Sequence, residues 1–161
     1  MKIWLQYHQT VQMYVKSRFL WHVGSLGESS HRCWTEGVSK NIKIEKISAL
    51  DFDTDQPERL AGYFALITQE VTKVLHTQKI DYLVLLGDRI ELLPAVLAAT
   101  ISQVSIIHLY GGELTHGAID DAIRHATTKL SHIHFTSCEK YRNRVISLGE
   151  NPSFVFNVGA L

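Results

Sequence analysis

Two acidic residues, each preceded by glycine, follow two neighbouring apolar runs of the sequence. Gly87-Asp88 comes directly after the run 82–86, and Gly111-Gly112-Glu113 comes after the run 104–109. Glycine lets the backbone turn sharply and lets a ligand approach closely. Carboxylates can take up and release protons during a reaction. The two acids are therefore candidates for acid/base chemistry.

Both acids also have a purely structural explanation. Asp88 is suited to be the N-cap of a helix that begins near Ile90, and its position taken alone favours that role. Glu113 could be a solvated loop acid. The glycine pair Gly111-Gly112 weakens that explanation, because two adjacent glycines are entropically costly to order and indicate a required backbone geometry.

A third group of charged residues lies in the segment 119–130. Its apolar residues recur at helical spacing from Ile119 onward, which places Asp121, Arg124, His125 and Thr128 on one polar face. Acids in a first turn suit the helix dipole, and the Asp120–Arg124 spacing is ordinary on a helix surface. A functional role for the whole group is better supported, because this helix begins just after the loop that contains Glu113.

Alternating strands and helices must position these residues. Ile42 to Ile47 alternates strictly and predicts a half-buried strand, and apolar residues at helical spacing predict a helix over 57–77. The remaining elements follow in order: strand 82–86, helix 91–101, strand 104–109, helix 119–130, strand 132–136, helix 139–148 and strand 154–158.

This alternation predicts a Rossmann-like α/β fold, with a parallel sheet and helices on both faces. Right-handed crossovers place the carboxyl ends of all parallel strands at one edge of the sheet, where ligands of such folds bind. We therefore expect that edge to collect six residues that could transfer protons or bind an anion: Asp88, Glu113, Asp120, Asp121, Arg124 and His125.

Composition narrows the class of protein. The 161 residues carry no net formal charge, with 45% apolar and 20% charged residues, which is typical of one globular domain. The charge balance does not suggest a nucleic-acid partner, and no apolar run approaches the roughly 20 residues of a membrane span. Two isolated cysteines, Cys33 and Cys138, suit a reducing cytoplasm. His132 and His134 lack a third ligand at suitable spacing, so no metal site is predicted.

Several long motifs together resemble a known family. They are 86–89 (LGDR), 108–113 (HLYGGE), 117–125 (GAIDDAIRH), 128–132 (TKLSH), 141–146 (YRNRVI), 148–152 (LGENP) and 156–159 (FNVG). At this spacing they closely resemble the hydrolysing UDP-N-acetylglucosamine 2-epimerases, in the branch that makes N-acetylmannosamine or related sugars for sialic-acid-like nonulosonates. The resemblance is strong over 80–161 and faint over 19–79.

The resemblance implies a two-domain, glycosyltransferase-B-like enzyme that needs no redox cofactor and has a nucleotide sugar as its ligand. Water and the activated 2-acetamido sugar would give the C2-inverted free sugar and the nucleotide diphosphate, by elimination and then hydration. Asp88, Glu113 and Asp121 would be the acid/base carboxylates, with Asp120 a lesser candidate. The substrate-binding positions would be Arg89, Gly111, Gly112, Arg124 and His125.

The sequence departs from the family at both ends. Residues 1–18 lack the opening strand and its glycine–(Ser/Thr)–Arg loop, so we expect a degenerate segment that is a remnant of, or a substitute for, the first helix. Residues 19–161 are expected to form the N-terminal epimerase domain, beginning with a strand near 19–23, and the C-terminal nucleotide-binding domain is expected to be absent. The expected protein partner is a second copy, forming a dimer, or a separate C-terminal epimerase domain.

Two other functions stay open at this point. The chain could be a catalytically inactive domain that retains the fold and an assembly surface. The fold pattern alone also suits a generic nucleotide-binding α/β domain, although that class does not explain Gly111-Gly112-Glu113 followed by the Asp120-Asp121 helix.

Overall fold

The computed structural model describes residues 2–3, 9–16, 19–22, 43–50, 56–115 and 119–160. Within these ranges the order of elements is β1 (Lys2–Ile3), β2 (Gln9–Lys16), β3 (Phe19–His22), β4 (Lys43–Leu50), α1 (Pro57–Thr77), β5 (Tyr82–Leu86), α2 (Leu92–Ile101), β6 (Ser105–Leu109), α3 (Asp120–Leu130), β7 (Ile133–Thr136), α4 (Glu139–Ser147) and β8 (Val155–Asn157). A short 3-10 helix, Pro152–Phe154, precedes β8.

Five strands form the parallel part of the sheet, in the order β3-β5-β6-β7-β8. From β5 onward each strand pairs with the next strand along the chain, and a helix connects each pair. The α/β fold predicted from the alternating pattern is confirmed, and the element boundaries after residue 56 agree within one or two residues. The carboxyl ends of β5 and β6 consequently lie side by side.

The amino-terminal strands differ from the expectation. We expected residues 1–18 to be a remnant of the first helix or a substitute for it. Residues 9–16 form β2, which pairs antiparallel with β1, β3 and β4, so they are not a helix remnant, and their role as a substitute stays a prediction. The physical reason is composition, since Thr10, Val11, Tyr14 and Val15 are β-branched or aromatic residues that favour strands. The predicted strands near 42–47 and 19–23 form as β4 and β3. The domain boundary at residue 19 stays a prediction.

Helices α1 and α2 cover one face of the sheet and form the core. On α1 the buried side chains are Tyr63, Ile67, Val71 and Leu75, spaced four residues apart on one stripe. Helix α2 is apolar on most sides and buries Leu92, Ala95, Val96, Ala98 and Ala99. Both helices pack with Leu83, Leu85 and Ile106 of the sheet. No helix in the described ranges is long and apolar enough to span a membrane.

Candidate functional site

Three of the predicted site residues meet at the carboxyl edge of the sheet. The guanidinium of Arg124, on α3, forms an ion pair through Nη2 with Oδ2 of Asp88, which follows β5. Its Nη1 lies 3.8 Å from Oε2 of Glu113, which follows β6. The Arg124 side chain is only 5% exposed. We call these three residues the Asp88–Arg124–Glu113 cluster.

A tight turn after β5 positions Asp88. Gly87 has φ +84°, a conformation that glycine adopts without strain, and its N–H donates to the Leu109 carbonyl at 3.0 Å. The Asp88 carboxylate accepts a hydrogen bond from the Thr115 hydroxyl at 2.8 Å, and Arg124 Nη2 also donates to Thr115 Oγ1 at 3.0 Å. Asp88 is not a helix N-cap, because α2 begins only at Leu92. Its side chain is committed to Arg124 instead.

The surroundings of Asp88 favour its ionised form. Partial burial acts to raise the pKa of Asp88, but the hydrogen bonds from Thr115 and Arg124 and the charge of Arg124 outweigh that effect. The pKa of Asp88 is therefore held below its ordinary value. The carboxylate is an anion at neutral pH.

The loop that carries Glu113 depends on its two glycines. Gly112 has φ +80°, and a Cβ at this position would overlap the carbonyl oxygen of Tyr141. A Cβ on Gly111 would lie 3.2 Å from His108 Nδ1. The Ser137 hydroxyl donates to Glu113 Oε1 at 2.6 Å, and the Glu113 side chain is 32% exposed. The glycine pair thus meets a geometric requirement, and it leaves an oriented carboxylate accessible.

The other α3 residues are arranged differently from the prediction of one shared polar face. Arg124 and Thr128 are buried, whereas Asp121 and His125 are 30% and 39% exposed and form their own pair, with 3.9 Å between Oδ2 and Nε2. Within the described ranges, no hydrogen bond or ion pair connects this pair to the Asp88–Arg124–Glu113 cluster. Asp120 lies in the first turn of α3.

Glu91 is a second buried acid near the site, and the sequence did not single it out. Its side chain is fully buried, and in the described part of the chain neither carboxylate oxygen has a hydrogen-bond partner. Arg89, 44% exposed, places Nε 3.8 Å from Glu91 Oε2. Burial is the main cause that raises the pKa of Glu91; a backbone hydrogen-bond contribution and the charge of Arg89 oppose the shift, and Asp120 adds to it. Arg89 is therefore turned toward Glu91.

Sequence reasoning missed the hydroxyl groups that hold the acids. Thr115 and Ser137 lie 27 and 24 residues away from the acids they bond. Neither residue belongs to a local pattern that predicts such a contact. His132, just before β7, and His134, within β7, make different contacts. His132 Nδ1 accepts a hydrogen bond from the Ile106 N–H at 3.1 Å, and Nε2 of the buried His134 lies 3.3 Å from the Glu150 carboxylate.

The cluster combines a fixed charge pair with an accessible proton acceptor. Asp88 and Arg124 neutralise each other below the surface, and Arg124 Nε and Nη1 retain donor capacity that no described residue satisfies. Glu113 is oriented by Ser137 and can be reached from solvent. Such an arrangement can exchange a proton with a bound ligand and stabilise negative charge that develops beside the guanidinium.

Comparison with known proteins adds independent evidence. The family model described as UDP-N-acetylglucosamine 2-epimerase matches residues 23–161. A GDP/UDP-N,N'-diacetylbacillosamine 2-epimerase (hydrolyzing) of Campylobacter jejuni is 39% identical over 77% of this chain and 32% of its own length. The polysialic acid biosynthesis protein P7 of Escherichia coli is 35% identical over 75% of this chain and 31% of its own length.

Solved structures agree with the fold. A UDP-GlcNAc 2-epimerase from Neisseria meningitidis, bound to UDP-GlcNAc, superposes with a TM-score of 0.58 at 26% identity, covering 65% of this chain and 29% of that chain. A UDP-N-acetylglucosamine 2-epimerase from Rickettsia bellii gives a TM-score of 0.63 at 18% identity over 87% of this chain and 36% of that chain. This chain spans about a third of the length of the curated relatives it matches. The matched residues, the relatives and the fold place the chain in the UDP-N-acetylglucosamine 2-epimerase family.

Proposed function

We propose that this chain supplies the carboxylates of a hydrolysing nucleotide-sugar 2-epimerase that acts on UDP-N-acetylglucosamine or a related nucleotide 2-acetamido sugar. The observation that carries the proposal is the Asp88–Arg124–Glu113 cluster at the carboxyl edge of the sheet. The Neisseria meningitidis structure with bound UDP-GlcNAc supports this substrate class. The Campylobacter jejuni relative supports a variant of the sugar with a second acetamido group.

The proposed reaction is an elimination followed by a hydration. In the first step a carboxylate takes the C2 proton, the C1–C2 double bond forms, and the bond from C1 to the diphosphate oxygen breaks. In the second step water adds its hydroxyl to C1, and a proton returns to C2 on the opposite face. One water is consumed, the nucleotide diphosphate and the C2-inverted sugar are released, and no electrons are transferred to a cofactor.

The exposures of the carboxylates suggest different roles in these steps. Glu113 and Asp121 are partly exposed, so we assign proton transfer at C2 to them, with Asp120 as a lesser candidate. Asp88 is a weak base because Arg124 and Thr115 hold its pKa low, and in this proposal it keeps the guanidinium in place. The Arg124 side chain is only 5% exposed, so in this proposal its charge stabilises the departing diphosphate electrostatically, without direct hydrogen bonds.

The remaining predicted residues have supporting roles in the proposal. His125 lies beside the Asp121 carboxylate, with 3.9 Å between Nε2 and Oδ2, and in this proposal it lines the substrate site next to that acid. Gly111 and Gly112 are buried, and the protein itself fills the space that a Cβ would take at either position, so in this proposal they shape the loop that presents Glu113 to the sugar. Arg89 is the exposed cation that could attract the diphosphate to this edge.

The test measures nucleotide release and the fate of the C2 proton together. The 161-residue chain is incubated with UDP-N-acetylglucosamine in D2O, alone and with the separately expressed C-terminal part of the Campylobacter jejuni relative. In the mixture that contains both parts, we expect UDP release together with incorporation of deuterium at C2 of the product. Glu113→Gln and Asp121→Asn should each lower the rate by about 100-fold or more, because positioned acid/base groups contribute about that much.

Glu139→Gln is the matched control, because Glu139 is 57% exposed and lies on α4, outside the cluster. It should leave the rate unchanged. UDP release without C2 deuterium would indicate simple hydrolysis and refute the elimination. Absence of turnover in the complemented wild-type mixture, with both parts folded, would favour the alternative of an inactive domain that retains only fold and assembly surface.

A further inference from the structure

We propose that His108 is a positioning residue that contacts and holds in place the three segments that carry Asp88, Arg124 and Glu113. His108 lies on β6, is fully buried and does not belong to the cluster itself. The geometric part of this inference stands without the proposed function. Its consequence for turnover rests on that function.

The imidazole of His108 contacts a different segment through each of its nitrogens. Nε2 lies 2.8 Å from the carbonyl oxygen of Gly87, in the turn after β5. Nδ1 lies 3.3 Å from the hydroxyl of Thr128, on α3. A Cβ on Gly111 would stand only 3.2 Å from the same Nδ1 and 3.4 Å from the Thr128 hydroxyl. The ring is therefore closed in by the turn, the helix and the loop.

Each residue that the His108 ring contacts is close in sequence to a residue of the cluster. Gly87 directly precedes Asp88, Gly111 lies two residues before Glu113, and Thr128 lies one helical turn after Arg124. The Gly87 N–H also donates to Leu109, so both polar backbone groups of Gly87 are held by β6. Movement of the ring would shift the supports of all three charged side chains together.

The partners define the protonation of the ring. A carbonyl oxygen can only accept a hydrogen bond, so Nε2 must carry a proton and donate to Gly87. Burial lowers the pKa of His108 to about 4, although the hydrogen bond to the Gly87 carbonyl opposes this shift, so the ring is neutral at pH 7. Nδ1 of a neutral ring then accepts, and the Thr128 hydroxyl donates to it. The hydroxyl is thereby drawn away from the backbone carbonyl four residues earlier, a common partner of helical threonines.

The first test is nuclear magnetic resonance of the 161-residue chain labelled with 15N-histidine. We expect the His108 ring to show the Nε2–H tautomer and no titration between about pH 5.5 and 8. Observation of the Nδ1–H tautomer, or of a ring that gains a proton within this range, would overturn the proposal. No substrate is needed for this measurement.

The second test measures the pKa of Asp88 by 13C nuclear magnetic resonance in matched variants. Thr128→Val removes the hydroxyl with little change of shape, and Thr128→Ser keeps it. We expect Thr128→Val to raise the Asp88 pKa toward its ordinary value, because the Arg124 cation beside Asp88 lowers that pKa and the variant loosens this contact. Thr128→Ser should leave the Asp88 pKa at its wild-type value.

A parallel pair addresses the other nitrogen. His108→Leu removes both ring contacts, whereas the amide nitrogen of His108→Gln can still donate to Gly87. We expect the Asp88 pKa to rise in His108→Leu and to recover partly in His108→Gln. If His108→Leu fails to fold, the Thr128 pair still decides the question. An unchanged Asp88 pKa in folded Thr128→Val would refute the positioning role.

The readouts separate this inference from the proposed function. If the tautomer and the Asp88 pKa behave as expected but Glu113→Gln keeps full turnover, the proposed function fails and the positioning role of His108 stands. If Glu113→Gln loses turnover while Thr128→Val leaves Asp88 unchanged, the proposed function stands and the positioning role fails.

Discussion

Glu91 is a fully buried carboxyl group, and its replacement should stabilise the protein. Among the described residues neither of its oxygens has a partner at normal hydrogen-bond geometry, and the nearby cation Arg89, 44% exposed, places Nε 3.8 Å from Oε2. An unsatisfied buried polar group costs about 1 to 3 kcal/mol, and a charged one costs more. Glu91→Met has a similar length and no polar group to desolvate. We expect it to raise the free energy of unfolding at pH 7 by about 1 to 3 kcal/mol, or roughly 2 to 4 °C in Tm per kcal/mol.

The gain should depend on pH in a defined direction. The pKa of Glu91 is raised above its ordinary value of 4.5, chiefly by burial, so the folded state holds the proton more tightly than the unfolded state. The stabilising contribution of this proton is complete below the unfolded pKa and is lost as pH rises through the folded pKa. The wild type should therefore lose stability relative to Glu91→Met from about pH 4.5 toward neutrality.

Urea unfolding followed by circular dichroism, from pH 4 to pH 8, measures this difference. Glu91→Gln separates the two causes, because it removes the titration but keeps a buried polar group. Glu139→Gln, at a position 57% exposed, serves as the control; it should change the free energy of unfolding by no more than about 0.5 kcal/mol, the size of an exposed ion pair such as that of Glu139 with Arg142. If the difference between wild type and Glu91→Met did not change with pH, or if Glu91→Met were less stable at pH 8, the reasoning would be refuted.

Two further predictions concern the backbone and the charges of the site. Gly112→Ala should lower the free energy of unfolding by about 2 kcal/mol or more, because residue 112 has φ +80° and an added Cβ overlaps the Tyr141 carbonyl. Gly62 lies on α1 with open space around its Cα, so Gly62→Ala should raise the free energy of unfolding by about 0.5 to 1 kcal/mol. Thermal unfolding of the two variants measures this contrast. Arg124→Gln should lower stability at pH 7 by about 1 to 3 kcal/mol, because it leaves the Asp88 carboxylate without its cation. Since the Asp88 pKa is lowered in the folded state, this deficit should shrink as pH falls through that pKa, and urea titrations at pH 2.5 to 7 would detect a deficit that failed to shrink.

The second half of the fold could be predicted because its local patterns agree with its tertiary structure. The run 82–86 is apolar on both faces, as a buried parallel strand requires. The run 104–109 is mostly apolar and buries alternate residues, and Ile67, Val71 and Leu75 repeat at helical spacing. Strand β2 was missed although its residues favour strands. The family resemblance suggested a helix there, and intrinsic preference prevailed.

The members of the site could be predicted more easily than their contacts. Asp88 was expected near Arg124 because both lie at the same edge of a parallel sheet. That its carboxylate pairs with Arg124 rather than capping a helix depends on contacts across 36 residues of sequence. The burial of Glu91 and the linking position of His108 depend in the same way on side chains brought from distant segments. Sequence periodicity carries no information about such pairs.

The order of the parallel strands has a consequence for how the chain folds. Within β5 to β8, paired residues are separated by only 21 to 26 positions, as in Tyr82 with Ser105. The pairing of Phe19 with Tyr82 closes a loop of 63 positions. The longer loop costs about 0.8 kcal/mol more in closure entropy. Folding should thus begin in the carboxyl-terminal half, where the segments that carry Asp88, Glu113 and Arg124 are close in sequence. Strand β3 should pair with β5 afterwards. The amides of β3 should therefore be the first in the parallel sheet to lose their protection against hydrogen exchange when the sheet opens locally.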